Sequence, residues 1–121
     1  MNIFKKVAKE LTTLSELMQG REKTQIDDLI KKYPNGFTIA DFDITTLDNE
    51  EVGVFVTEEE PNYFCFAGLV LTNIFKSWIA LFEGDIEGTR TEYAKSEPCK
   101  VKAYKKKVNN SNKTVTAIDV I

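Results

Sequence analysis

Phe37-Thr-Ile-Ala-Asp-Phe-Asp-Ile-Thr-Thr46 is where the chain changes character. Before it, apolar residues recur every three or four positions; from Phe37 onward the period is two. The stretch is rich in β-branched and aromatic residues, as a strand requires. Its apolar phase slips between Ile39 and Phe42, which calls for a bulge or a strong bend. Leu47-Asp-Asn-Glu-Glu51 is turn-like, and Val52-Gly-Val-Phe-Val-Thr57 is a second strand with Val52, Val54 and Val56 on one face. Glu58-Glu-Glu-Pro-Asn62 turns again, and Tyr63-Phe-Cys-Phe-Ala67 is a third strand ended by Gly68.

Leu69 to Phe82 then returns to helical spacing, with Leu71, Ile74, Phe75, Trp78 and Leu81 or Phe82 on the buried stripe. Gly84 to Pro98 is a polar connector with a helical piece near Thr91–Lys95. Two final strands follow, Cys99–Val108 and Thr114–Ile121, joined by Asn109-Asn-Ser-Asn-Lys113. Upstream, Phe4, Val7, Leu11, Leu14 and Met18 form an amphipathic helical stripe ended by Gly20. Thr24 and Asp27, at capping-box spacing, open a short helix from Gln25 to Lys32. The expectation is a single domain of class β+α with element order α-α-β-β-β-α-β-β. Residues 1–34 are its helical N-terminal extension, and 37–121 form a five-stranded OB-fold-like barrel, the helix between strands three and four plugging its floor.

Composition narrows the function. In 121 residues there is no histidine, which removes the commonest general base and metal ligand, and two cysteines are too few for a structural zinc site. The pair Gly84 and Gly88 is too sparse and acidic to cradle phosphate. No enzyme activity, cofactor or metal is therefore expected. No apolar run approaches the roughly 20 residues of a membrane span. Met1-Asn-Ile-Phe-Lys-Lys6 lacks the apolar stretch of a signal peptide, and free thiols suit a reducing compartment. A cytoplasmic protein without membrane association is expected.

Charge is distributed unevenly. The chain is net −3, yet from Lys95 to Ile121 seven lysines face two acids, a local +5. Lys100, Lys102 and Lys106 alternate onto one strand face with Tyr104 among them, and Lys105, Lys107 and Lys113 complete the cluster. Such a mixture suits a single nucleic-acid strand, cations neutralising the backbone while a base stacks on the ring. The same lysines also serve as the solvated guard of a sheet edge. Tyr63 and Phe55 are stacking candidates as well as candidate core, and Arg21, after Gly20, is a candidate phosphate clamp or a plain loop residue. Between Tyr33 and Phe75 there is no lysine or arginine, but eight acids occur, from Asp41 to Glu60. They would repel nucleic acid, or dock on a basic protein partner.

Gly20-Arg-Glu-Lys23, Tyr33-Pro-Asn-Gly-Phe-Thr-Ile39, Phe64-Cys-Phe-Ala-Gly68 before a helix, and the lysine hairpin closing in Ile118-Asp-Val-Ile121 together resemble the small single-stranded DNA-binding proteins of bacteriophages and mobile elements of Gram-positive bacteria. The resemblance covers most of the chain as a pattern of order. It implies sequence-tolerant binding of single-stranded DNA, by a homo-oligomer or cooperatively, in phage or mobile-element replication or recombination. The alternative is an acidic protein-interaction module, such as a phage-encoded inhibitor or DNA mimic that docks through strands 41–60.

Overall fold

The computed structural model describes residues 14–109 and 112–121. The predicted Phe4–Leu11 part of the first amphipathic stripe lies outside the described residues. Its end, Glu16–Met18, is a single 3₁₀ turn whose start is capped by the Ser15 hydroxyl, which accepts from the Leu17 N–H at 3.1 Å. Six strands follow in one sheet: β1 (Glu22–Thr24), β2 (Phe37–Leu47), β3 (Glu50–Thr57), β4 (Tyr63–Phe66), β5 (Cys99–Lys107) and β6 (Thr114–Val120). The helices are α1 (Ile26–Lys32), α2 (Leu69–Leu81) and α3 (Ile86–Lys95).

The sheet order is β1-β4-β3-β2-β5-β6, so the count is six strands rather than the expected five, and the element order differs accordingly. Glu22-Lys-Thr24, expected as loop and helix cap, pairs in parallel with Tyr63-Phe-Cys65 at the exposed edge of β4. Thr24 therefore ends a strand, and α1 begins after Gln25 with no side-chain cap. The second correction is α3. The connector after Gly84 contains a ten-residue helix, capped by Asp85, whose carboxylate accepts from the Gly88 N–H at 3.0 Å.

The slip read between Ile39 and Phe42 is a register shift between Ile39 and Asp41 against β3. It keeps Phe37 and Ile39 inside before the shift and Phe42 inside after it, all three fully buried. Asp48 and Asn49, with φ of 50° and 66°, make the two-residue turn between β2 and β3. The inward residues of β2–β5 meet α2 and α3 in an aromatic core. Phe42 lies 4.9 Å from Phe75, 5.3 Å from Trp78 and 5.4 Å from Tyr93, and Phe37 stacks on Phe55 at 5.9 Å.

A second, smaller cluster lies on the other face of the sheet. There Val54, Val56 and Phe64 are covered by Leu17 and Met18 of the 3₁₀ turn. The stripe of α2 is Leu71, Thr72, Phe75 and Ile79, with Trp78 and Ile74 half-buried; neither Leu81 nor Phe82, one of which is expected on it, is buried. Among the described residues no helix is long and apolar enough to cross a membrane.

Candidate nucleic-acid interface

Only Cys99, Lys100 and Val101 of β5 pair with β2, whereas β5 and β6 pair with each other from Val101 to Lys107. The hairpin beyond Val101 is therefore an arm that runs past β2 within the same sheet, its inner face still packed on the core through Ala103 and Ile118. Val101 and Ala103 are buried on its inner face, so alternation turns Lys100, Lys102, Tyr104 and Lys106 outward. The three lysines are exposed and make no ion pair among the described residues, and Tyr104 is half-buried between them. The Tyr104 hydroxyl donates to Asp119 at 3.4 Å, and that carboxylate is the main reason its pKa is raised.

The other members of the cluster separate by phase. Lys105 points to the inner side, where its ammonium meets Asp27 of α1 at 2.8 Å and the Thr116 hydroxyl at 2.9 Å. Lys107 shares that phase at the end of the arm, and Lys113 follows the loop, its carbonyl accepting from the Val108 N–H at 3.0 Å. That ion pair ties the outer half of the arm to α1.

Three expected contacts are placed elsewhere. Phe55 is fully buried between Phe37 and Phe75, so it is core and cannot stack on a base. The reason is the phase of β3: Phe55 faces the aromatic core, and Val54 and Val56 face the smaller cluster under the 3₁₀ turn. Tyr63 is exposed but shares the inward phase of Cys65 at the start of β4, so it does not join Tyr104. With β3 and β2 between them, β4 and β5 are about 14 Å apart. Arg21 is a strut, its guanidinium donating to the Pro61 carbonyl at 3.0 Å and the Leu17 carbonyl at 3.2 Å.

Sequence reasoning missed Phe66. It sits half-buried on the outward face of β4, paired with Val54, with the Lys23 ammonium 4.9 Å from its ring centre. The signal was available in Cys65: a small apolar residue on the inward phase puts both flanking phenylalanines on the opposite face of the sheet, where Phe64 is buried in the smaller cluster. It also missed a cleft of about 230 Å³ between α2 and α3, lined by Phe42, Trp78, Phe82, Tyr93 and Glu92.

The acids of the middle segment are largely engaged within the fold. Arg90 holds Asp41 through two nitrogens at 3.1 and 3.0 Å, and Asp43 accepts from the Ser15 hydroxyl at 2.7 Å. Glu51 pairs with Lys76 at 3.0 Å and Glu60 with Lys32 at 2.8 Å, while Glu59 accepts from the Thr38 N–H. Asp48 and Glu50 sit at the β2–β3 turn, the end of β2 remote from the arm. The positive arm and the exposed acids of that turn are thus separated along one strand. No protein-family model, curated protein or solved structure matches this chain.

Proposed function

We propose that this protein is a non-catalytic binder of single-stranded nucleic acid, with single-stranded DNA of a phage or mobile element as its target in replication or recombination. The observation that carries the reading is the outward face of β5, where Lys100, Lys102 and Lys106 flank Tyr104 on an arm that runs past β2. Cations spaced along a strand follow a phosphate backbone, and an accessible ring between them receives a base. Lys107, on the inner phase, and Lys113 lie at the arm's tip, where they add positive charge beside that face. The two thiols, both free, suit a reducing cytoplasm.

The five-stranded part of the sheet supports an OB-type origin. Without β1, its order is third-second-first-fourth-fifth with helices between the third and fourth strands. That is the order of an OB barrel opened between its third and fifth strands, and the loop joining its last two strands is one of the fold's usual binding loops. The alternative, an acidic module docking through residues 41–60, has less support because so many of those carboxylates already have partners inside the fold.

The test is anisotropy of a labelled single strand titrated across salt concentrations, with duplex as competitor. Expected is salt-sensitive binding that prefers the single strand. The triple change Lys100→Glu, Lys102→Glu and Lys106→Glu should abolish it. Single Lys→Gln changes should each flatten the log–log salt slope by about 0.7, and Tyr104→Ala should cost about 1–3 kcal/mol. Binding that ignores salt, or that survives the triple charge reversal, overturns the proposal.

A further inference from the structure

Strand β6 pairs with β5 on one side, and its other edge makes no backbone pairing among the described residues. The direction of its backbone groups follows from two bonds. The Ile121 N–H donates to the Lys100 carbonyl at 2.9 Å, and the Lys113 carbonyl accepts from Val108 at 3.0 Å. Odd-numbered residues of β6 therefore address β5. Because these groups alternate along an antiparallel ladder, the N–H and C=O of Thr114, Thr116, Ile118 and Val120 point off the edge. Protected edges are short, or carry charged side chains, proline or a bulge. Thr114-Val-Thr-Ala-Ile-Asp-Val120 has no lysine, proline or bulge and a single charge, Asp119, and it holds an unbroken seven-residue register, with Val115 and Val120 about half exposed.

We infer that a second copy of this chain pairs with β6 in antiparallel fashion about a two-fold axis at Ala117, joining two sheets into one. This register is self-complementary. Thr114 meets the partner's Val120 and Thr116 meets the partner's Ile118, so all four outward-pointing residues of each strand enter the ladder. Sliding by two residues leaves one of them outside it. Ala117 meets its own copy, the smallest pair at the point of closest approach. Val115 meets the partner's Asp119, and behind Val115 in the register stands Lys106, an opposite charge on the same face. No like charges oppose each other, which cross-strand pairing requires.

The axis runs through the sheet, so both copies present their lysine–tyrosine faces on one side. Three strand spacings put the two β5 strands about 14 Å apart. A single strand crossing the pair meets two cationic faces in succession. This consequence rests on the proposed nucleic-acid binding; the pairing itself does not.

The test is sedimentation velocity of the full chain without nucleic acid, together with disulfide trapping. Expected is a species of twice the 13.8 kDa chain mass. Thr116→Pro removes one edge N–H while leaving the β5 ladder untouched, and should weaken the dimer by about tenfold or more. In a Cys99→Ser background, Ala117→Cys should form an intermolecular disulfide. Non-hydrogen-bonded pairs set Cβ atoms about 4.5–5.5 Å apart, near disulfide reach. Val115→Cys should not cross-link to itself, because it faces Asp119 of the partner subunit. A monomer at all concentrations, or equal cross-linking by both cysteine variants, overturns the inference. A monomer that still binds single strands overturns this inference alone, whereas a dimer that binds none overturns only the binding reading.

Discussion

Phe55 and Phe66 show how one residue of phase decides a side chain's use. Both belong to adjacent strands with alternating apolar residues, yet Phe55 is paired with Cys65 on the inner face and Phe66 with Val54 on the outer. Phe55 is fully buried against two other rings, so Phe55→Ala should cost about 3–5 kcal/mol in urea unfolding, a large share of the stability of any small domain. Phe66 keeps partial exposure beneath Lys23. Phe66→Ala should cost clearly less, and equal losses for the two would refute the assignment of faces. Arg21 carries the same lesson in a polar residue. Its guanidinium is occupied by two backbone carbonyls, so Arg21→Ala should lower stability, with little change in the salt slope of the proposed nucleic-acid binding.

At the scale of elements, the seating of α2 on the sheet depends on two small residues. A Cβ at Gly53 would lie 2.9 Å from the Phe75 ring, 3.0 Å from Ala67 and 3.0 Å from the Thr72 hydroxyl. Only glycine lets the helix come so close to β3. Thr72 uses that proximity. Its hydroxyl accepts from the Gly53 N–H at 3.0 Å and donates to the Ala67 carbonyl at 3.3 Å. Gly53→Ala should destabilise by about 1–3 kcal/mol through overpacking. Thr72→Val keeps the volume but strands a buried N–H, at a cost of about 1–3 kcal/mol. Thermal unfolding checks both, and wild-type stability in Thr72→Val would remove the bridge from the account. α3 is fastened similarly by Tyr93, whose hydroxyl donates to the Ile39 carbonyl at 2.6 Å, beside the bulge, and accepts from the Cys99 N–H at 2.9 Å.

For the molecule as a whole, these buried groups make stability depend on alkali. Burial pushes the Cys65 thiol from an ordinary 9.0 up to about 12, and the Tyr93 phenol from 10.0 up to about 12. Burial raises Cys99 too. In each case the folded chain favours the neutral form and the unfolded chain ionises first. The contribution is therefore fully present below about pH 9 and is lost as pH rises toward 12. Urea unfolding between pH 8 and pH 11 should show this decline, and Cys65→Ala should flatten it from its onset. An unchanged slope in that variant would exclude Cys65 as the source. The proposed binding by the arm would instead follow ionic strength.

Local patterns carried much of this architecture. The change of period at Phe37, the slip before Phe42, the Asp48-Asn49 turn, the apolar stripe opening at Leu71 and the lysine alternation on β5 are all set by near neighbours along the chain. Steric and solvation preferences act there without help from distant residues. Other features needed residues far apart in sequence. Glu22-Lys-Thr24 is a strand because β4 offers it an open edge, and α3 is seated by Arg90 on Asp41 and Tyr93 on Ile39. Which face of β3 and β4 lies inside was decided by α2 packing one side and Leu17 the other. An alternating strand with apolar residues on both phases fits either way, and only the completed core selects between them.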